Sequence, residues 1–363
     1  MSNYFLRIQV VFISLLLISC VQRNQSITSL KTLSGKIIYK SDFDTLISCQ
    51  MDSQNVKGLS IAVINDGKIV YYRTEGIADV YKTDIIDGQT LFEAASLSKP
   101  LFAYFVMKQV EKGLIDLDTP LYKYLPYPDI EYDERYKLIT PRMVLSHTSG
   151  FPNWRWQNQN NKLDIKFSPG TKYSYSGEAY IYLAKVIAHI NGLTLSNLDS
   201  LFKEEIATPL NLKHAHFSIN KYVANHLASA HDGDKIVYDN SWDRRFFHSA
   251  GGLYTESLSY ANFLIAIMDN HGLHEETINE MLSPQIELPD DDYSRKNFGI
   301  SDWTLGFARK SSNYGAIYMH GGNNWGYTAS FLFNRENKFG YVFFTNSNQC
   351  NELSKKVMNF LVQ

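Results

Sequence analysis

The sequence predicts an α/β (α+β) fold in which one sheet is assembled from both ends of the chain and a mostly helical section is inserted between them. Two observations carry this. Apolar runs of strand length fall early, at residues 58–64 and 68–74, and late, at residues 303–307, 316–320, 327–334 and 340–345. Between them, residues 126–299 show helix signals and loops but few strand signals. With 363 residues, 44% hydrophobic and 20% charged, the chain can bury a large core. Such a chain folds as two lobes, and a cleft between lobes is a common place for a ligand.

Taken in order, residues 1–20 read as an export signal. Arg7 supplies positive charge, and residues 10–18 form an apolar run too short to span a bilayer. The run ends in Leu17-Ile18-Ser19-Cys20. Residues 21–40 are assigned to a tether, because residues 22–34 are polar and aperiodic. The sheet part is assigned to 41–125 and 300–363, and the helical lobe to 126–299. A helix is expected over 41–51, where Phe43, Leu46, Ile47 and Met51 are apolar. Asn65-Asp66-Gly67 is a hairpin turn between two strands. An apolar run after Ser96 continues through Phe105, Val106 and Val110 to Gly113, as a buried helix would.

The inserted section begins with a helix over 140–146, with Pro141 in its first turn. It stops at His147-Thr148-Ser149-Gly150, residues expected to pack the helical lobe. Pro169-Gly170 is a turn, and helices follow over 177–191, 195–206 and 257–269. Residues 282–297, rich in Pro, Asp and Ser, read as an exposed loop. A helix over 351–361 ends the chain. Trp154, Trp156 and Trp325 fall in loops, with cleft lining and surface packing both open for each.

Composition excludes several classes of partner. The formal net charge is -2 and no basic run is present, so neither nucleic acid nor an anionic membrane surface is expected. The 10 histidines are scattered, and no CxxC, HExxH or Gly-rich phosphate loop occurs. No metal and no cofactor are expected.

One stretch carries chemistry. In Ala94-Ala95-Ser96-Leu97-Ser98-Lys99, serine and lysine stand at i and i+3, on one face of a helix start. A serine hydroxyl needs a base within hydrogen-bond reach, and a lysine serves if burial lowers its pKa. The same spacing recurs at Ser200/Lys203 and Ser218/Lys221, so spacing alone does not choose among them.

Two further stretches choose. Tyr175-Ser176-Gly177 follows the Pro-Gly turn, and His320-Gly321-Gly322 closes a C-terminal strand. With Ser96-Leu97-Ser98-Lys99 before them, the order resembles the serine β-lactamase and penicillin-binding-protein superfamily. The branch is the class C β-lactamase-like one, which includes esterases and D-amino-acid peptidases. Connecting segments agree: residues 113–118, Leu145 to Gly150, and Ala250-Gly251-Gly252-Leu253.

The resemblance implies an antiparallel sheet flanked by helices. It implies Ser96 as nucleophile, and Lys99 with Tyr175 as its proton-transfer system, the lysine charge lowering the phenol pKa. His320, Gly321, Gly322 and Asn323 would contact substrate, and the N–H groups of Ser96 and Asn323 would hold an oxyanion. Ser19-Cys20 likewise resembles a lipoprotein cleavage box, with Cys20 lipidated. Two departures stand out: Gly177 where the family usually has Asn, and His320 where true β-lactamases have Lys. They favour a serine hydrolase of small esters, amides or peptides over an efficient β-lactamase, and the N-terminal segment would place it as an exported, periplasmic or outer-membrane-associated lipoprotein. The rival is a non-hydrolytic sensor or scaffold of the cell envelope. In the family fold the last strand pairs with the first, which would bring Cys49 and Cys350 to one corner. A disulfide and two separate small apolar residues are both open there.

Overall fold

The computed structural model describes residues 28–238, 242–348 and 350–363; residues 1–20, read as an export signal, and Cys20 lie outside them. Strand β1 (Ser29–Lys31) pairs with β2 (Ile37–Tyr39) in a small hairpin. Over residues 28–40 this corrects the tether assigned to 21–40; residues 21–27 lie outside the described residues. Leu30 and Leu33 are buried, and the Leu33 N–H donates to the Leu361 carbonyl near the C-terminus. Two well-placed leucines within a polar segment were enough to attach it.

Helix α1 (Lys40–Ser53) buries Phe43, Ile47 and Met51, a stripe at i, i+4 and i+8. Strands β3 (Gly58–Asn65) and β4 (Lys68–Asp79) form the expected hairpin, whose Asp66 and Gly67 take φ of 50° and 71°. Two positive φ values in a row suit the right-handed twist of the flanking strands. Every residue of β3 is buried, because both sheet faces are covered. Leu59, Ile61 and Val63 share a core with α1, while Ala62 and Ile64 face the inserted lobe. Strand β5 (Asp84–Ile85) is the sheet edge, and β6 (Phe92–Glu93) leads to a 3₁₀ turn at Ala95–Leu97 and helix α2 (Ser98–Glu111).

The inserted section holds α3 (Pro141–Leu145), α4 (Gly177–Ile190), α5 (Leu198–Phe202), β7 (Ala215–His216) and α6 (Lys221–His226). A two-strand hairpin, β8 (His231–Asp232) with β9 (Lys235–Ile236), follows. Strand β10 (Tyr254–Thr255) pairs with both β6 and β7 and so stitches this section to the strand that leads into Ser96. Helices α7 (Ser257–Met268) and α8 (Glu275–Leu282) complete it.

Residues 282–297 are not the plain loop expected, since they carry β11 (Ile286–Glu287) and α9 (Tyr293–Phe298), the latter capped by Asp292. The expected strand over 303–307 also differs. Strand β12 (Asp302–Trp303) ends early, Gly306 turns the chain at φ 101°, and the next strand is β13 (Ala308–Ser312). Its half-buried Arg309 and Lys310 hid it from an apolar pattern. Then come β14 (Gly315–Asn324), β15 (Tyr327–Asn334), β16 (Phe339–Thr345) and helix α10 (Asn351–Val362).

The main sheet has nine strands in the order β11-β12-β13-β14-β15-β16-β3-β4-β5, each pairing antiparallel. Helices α1 and α10 cover one face; α2, α4 and α7 belong to the core on the other. The expected antiparallel sheet flanked by helices is therefore present. The disulfide is not: Cys49 and Cys350 are both free. Leu59 does pair with Thr345 and brings the segments together. But Cys49 is two residues past Ile47, some 200° around α1 from the buried stripe, and is exposed. Cys350 is buried at the start of α10, its thiol 3.5 Å from the Ser347 carbonyl.

Candidate active site

Ser96 sits in the turn that changes β6 into α2. Ala95 before it is buried at φ 49°, a left-handed conformation that a non-glycine residue holds only when its surroundings impose it. Ser98 supplies that constraint: its hydroxyl donates to the Ala95 carbonyl at 2.6 Å and accepts the Leu253 N–H at 3.0 Å. The Leu253 carbonyl accepts the Ala94 N–H at 2.8 Å. The Ala250 to Leu253 segment therefore clamps the turn from outside.

Lys99 lies one helical turn on, 0% exposed. Its Nζ is 3.2 Å from Ser96 Oγ and donates to the Ala250 carbonyl at 2.6 Å. Nζ also stands 4.7 Å from the Tyr175 ring centroid and 5.7 Å from that of Tyr180. Burial without a carboxylate partner among the described residues brings the amine pKa down to about 7.

Tyr175 is held just before α4, whose Ser176 cap accepts the Ala179 N–H and donates to the Pro152 carbonyl. The sequence predicted a phenol with its pKa lowered by Lys99. Burial instead raises it above the ordinary value, with Ser96 acting weakly in the opposite sense. Desolvation is the largest cause, and Lys99, its Nζ 4.7 Å from the ring centroid, does not reverse it. Tyr175 Oη is buried close to Ser96, and among the described residues no group meets full hydrogen-bond geometry to it.

His147 is a member of this cluster that sequence reasoning placed only in lobe packing. It is fully buried at φ 58°. Its Nδ1 accepts the Ser176 N–H at 3.0 Å, its carbonyl accepts the Ser174 N–H at 2.8 Å, and its ring lies 4.2 Å from that of Tyr175. The signal available was the histidine ending a helix in Leu145 to Gly150, but its partners are remote in sequence. Replacing His147 with alanine strips a buried N–H of its acceptor. Urea unfolding should show a loss of about 1–3 kcal/mol; an unchanged midpoint would refute this anchoring.

Strand β14 brings the remaining predicted residues. Strand β13 pairs with it only as far as Met319, so residues 320–324 are paired on one edge alone, with β15. Gly322 is buried, and a Cβ there would lie 2.6 Å from the Ala94 carbonyl; glycine lets the strand close onto the turn that carries Ser96. Gly321 is exposed, with open space beside its Cα, and Asn323 lines the cleft with Ser96. His320 does not sit there as a cation. It is 5% exposed, its Nδ1–H donates to the Gly321 carbonyl at 2.7 Å, and its ring packs beside Tyr175 and Trp303. Burial first, and Lys99 second, bring its pKa down to about 3, so it is neutral.

The cleft outside Ser96 encloses about 500 Å³ and includes Trp154, Trp156 and Trp325, which answers the open question about all three. No group of three or more His, Cys, Asp or Glu side chains able to hold a metal occurs among the described residues.

A profile of the family described as Beta-lactamase matches residues 43–356. The chain belongs to the Beta-lactamase family. Among curated proteins it is 23% identical over 331 residues to Protein flp of Staphylococcus aureus (strain MRSA252), covering 85% of this chain and 63% of that one. It thus spans less than two thirds of that relative. It is 22% identical to Penicillin-binding protein 4* of Bacillus subtilis (strain 168), covering 88% of this chain and 74% of that one. Among solved structures, a class C beta-lactamase superposes with a TM-score of 0.74 at 18% identity, covering 89% of this chain and 95% of that one. The octameric penicillin-binding protein homologue from Pyrococcus abyssi does so at 0.74 and 21%, covering 89% and 77%. Within this Beta-lactamase-family site, sequence reasoning missed Ser98 and Glu93 as well as His147. Glu93 is 1% exposed; it forms an ion pair with Arg244 and accepts a hydrogen bond from Asn324, each at 2.7 Å.

Proposed function

We propose that this Beta-lactamase-family chain is a serine hydrolase that cleaves small esters or amides through an acyl-enzyme, as an esterase or D-amino-acid peptidase does. The observation that carries the reading is the buried Lys99 amine, 3.2 Å from Ser96 Oγ, with a pKa of about 7. A large share of it is neutral near pH 7 and available as a base. As Ser96 Oγ bonds the acyl carbon, its proton passes to Lys99. The leaving alcohol or amine takes that proton as its bond to the acyl carbon breaks. Water then attacks the acyl-serine and gives its proton to Lys99, which passes it to Ser96 Oγ as the bond to the acyl carbon breaks and the acid leaves. Tyr175, kept protonated by burial, donates its hydroxyl hydrogen bond within this exchange. The N–H groups of Ser96 and Asn323 are the proposed oxyanion donors. His320, Gly321 and Gly322 line the strand along which substrate lies, without a strand cation to hold a carboxylate.

The same reading makes the chain a weak β-lactamase, since neither an Asn at 177 nor a Lys at 320 is present. We also propose export, with a lipid on Cys20 as the membrane attachment; the apolar run 10–18 and Ser19-Cys20 support it.

A fluorophosphonate should form its adduct on Ser96, located by mass spectrometry. An adduct on Ser200 or Ser218 would sink the assignment, and no adduct at all would favour the sensor or scaffold. For p-nitrophenyl acetate, kcat/KM should rise with pH and level off above about 7, where Lys99 has lost its proton. Below that it should fall about tenfold per pH unit. A flat profile would contradict Lys99 as base. Nitrocefin turnover approaching about 10⁸ M⁻¹s⁻¹ would contradict the weak β-lactamase reading.

A further inference from the structure

Gly177 stands where a longer side chain would reach the cleft, and the structure shows what fills that space. A Cβ on Gly177 would lie 2.7 and 2.8 Å from two ring carbons of Trp154. The Gly177 N–H is bound by both the carbonyl and the side-chain oxygen of Asn153, each at 3.0 Å, which fixes the neighbouring indole against the start of α4. Glycine at 177 is thus what allows the Trp154 ring its place.

Trp154 begins a column of rings. Its centroid is 5.8 Å from that of His248 at 32°, and His248 is 5.1 Å from Trp242 at 28°. All three line the cleft that Ser96 opens into. Trp156 and Trp325, also lining it, are 60% and 56% exposed. Of the polar side chains at this end, Arg155 bridges Asp129 and Glu178, Asn324 donates to Glu93, and Lys185 lies over the Tyr127 ring. The largest apolar surfaces the cleft offers a ligand are its four indoles. Large exposed indoles beside a nucleophile suit a flat apolar partner, because stacked aromatic pairs gain beyond the area they bury.

We propose that Trp154, seated against Gly177, is the specificity-determining wall of an aromatic subsite, so that the preferred substrate carries an aryl group within reach of Ser96. This rests on the serine-hydrolase reading above. The subsite takes the place of the amide contact that an asparagine at 177 would make.

Boronic acids test it, since trigonal boron accepts Ser96 Oγ reversibly and no leaving group is needed. The inhibition constants of 2-naphthylboronic and butylboronic acid are compared on the full chain with p-nitrophenyl acetate as reporter. The naphthyl compound should bind at least about tenfold tighter, the size of one good aromatic contact. Trp154→Leu, apolar but not planar, should bring that ratio close to one, and Trp154→Phe should keep part of it. Gly177→Ala, which displaces the indole, should also lower it. A native ratio near one, or a ratio unchanged in Trp154→Leu, would overturn the subsite while leaving the hydrolase reading intact. Failure of both boronates to inhibit, together with no fluorophosphonate adduct, would overturn the hydrolase reading and the subsite with it.

Discussion

Replacing Lys99 with methionine is expected to lower kcat/KM for p-nitrophenyl acetate by about 10²–10⁴-fold, the range a positioned general base contributes. The protein should stay folded. Lys99 is 0% exposed, its amine is paid no ion pair by the described residues, and methionine has nearly the same length without the desolvation cost. A thermal midpoint equal to or above the native one would separate lost chemistry from lost structure. Tyr175→Phe should cost less than Lys99→Met, because a phenol held protonated by burial donates rather than abstracts. The double variant should be little worse than Lys99→Met, since groups that move one proton are not additive. Losses that multiply, or a Lys99→Met enzyme within tenfold of native, would show that the proton leaves Ser96 by another route.

Replacing Glu93 with alanine should cost about 3 kcal/mol of stability, among the largest effects of any single change near the site. Glu93 is 1% exposed, with its oxygens on Arg244 and Asn324. Removing one partner of a buried pair leaves the other desolvated, which typically costs 3–5 kcal/mol. The Arg244 side chain is 28% exposed, so water recovers part of this and the low end applies. Glu93→Gln keeps an oxygen for Asn324 and should lose less. Urea unfolding reads both, and a loss under about 1 kcal/mol for Glu93→Ala would mean that the pair is not structural. Glu93 also joins the end of β6, three residues before Ser96, to Asn324, next to Asn323. Esterase activity should therefore fall in the Glu93→Ala protein that remains folded.

The parts of this chain that local sequence determined are those whose causes lie within a few residues. The Asn65 to Gly67 turn needs positive φ where Asp and Gly stand. Ser96 and Lys99 share a helix face because they are three apart, and Ser176 caps α4 because its hydroxyl meets an N–H three residues on. Strand β3 was readable for the same reason, an unbroken apolar run. Strand β13 was not, because its Arg309 and Lys310 are only half-buried, and the hairpin at Ser29 was not, because Leu30 and Leu33 are isolated apolar residues in a polar stretch. Tertiary structure alone decided the rest. Lys99 is a near-neutral amine because Ala250, Tyr175 and Tyr180 surround it, residues about 75 to 150 positions away. The same enclosure keeps the Tyr175 phenol protonated, where a lowered pKa was expected, and keeps the His320 imidazole neutral. Cys49 and Cys350 were brought to neighbouring elements but turned apart by the rotation of one helix. Gly177 reads in sequence as a missing asparagine, and in space as the seat of Trp154. Spacing along the chain sets which side chains can meet locally; desolvation and close packing, which set what those side chains do, depend on contacts between distant segments.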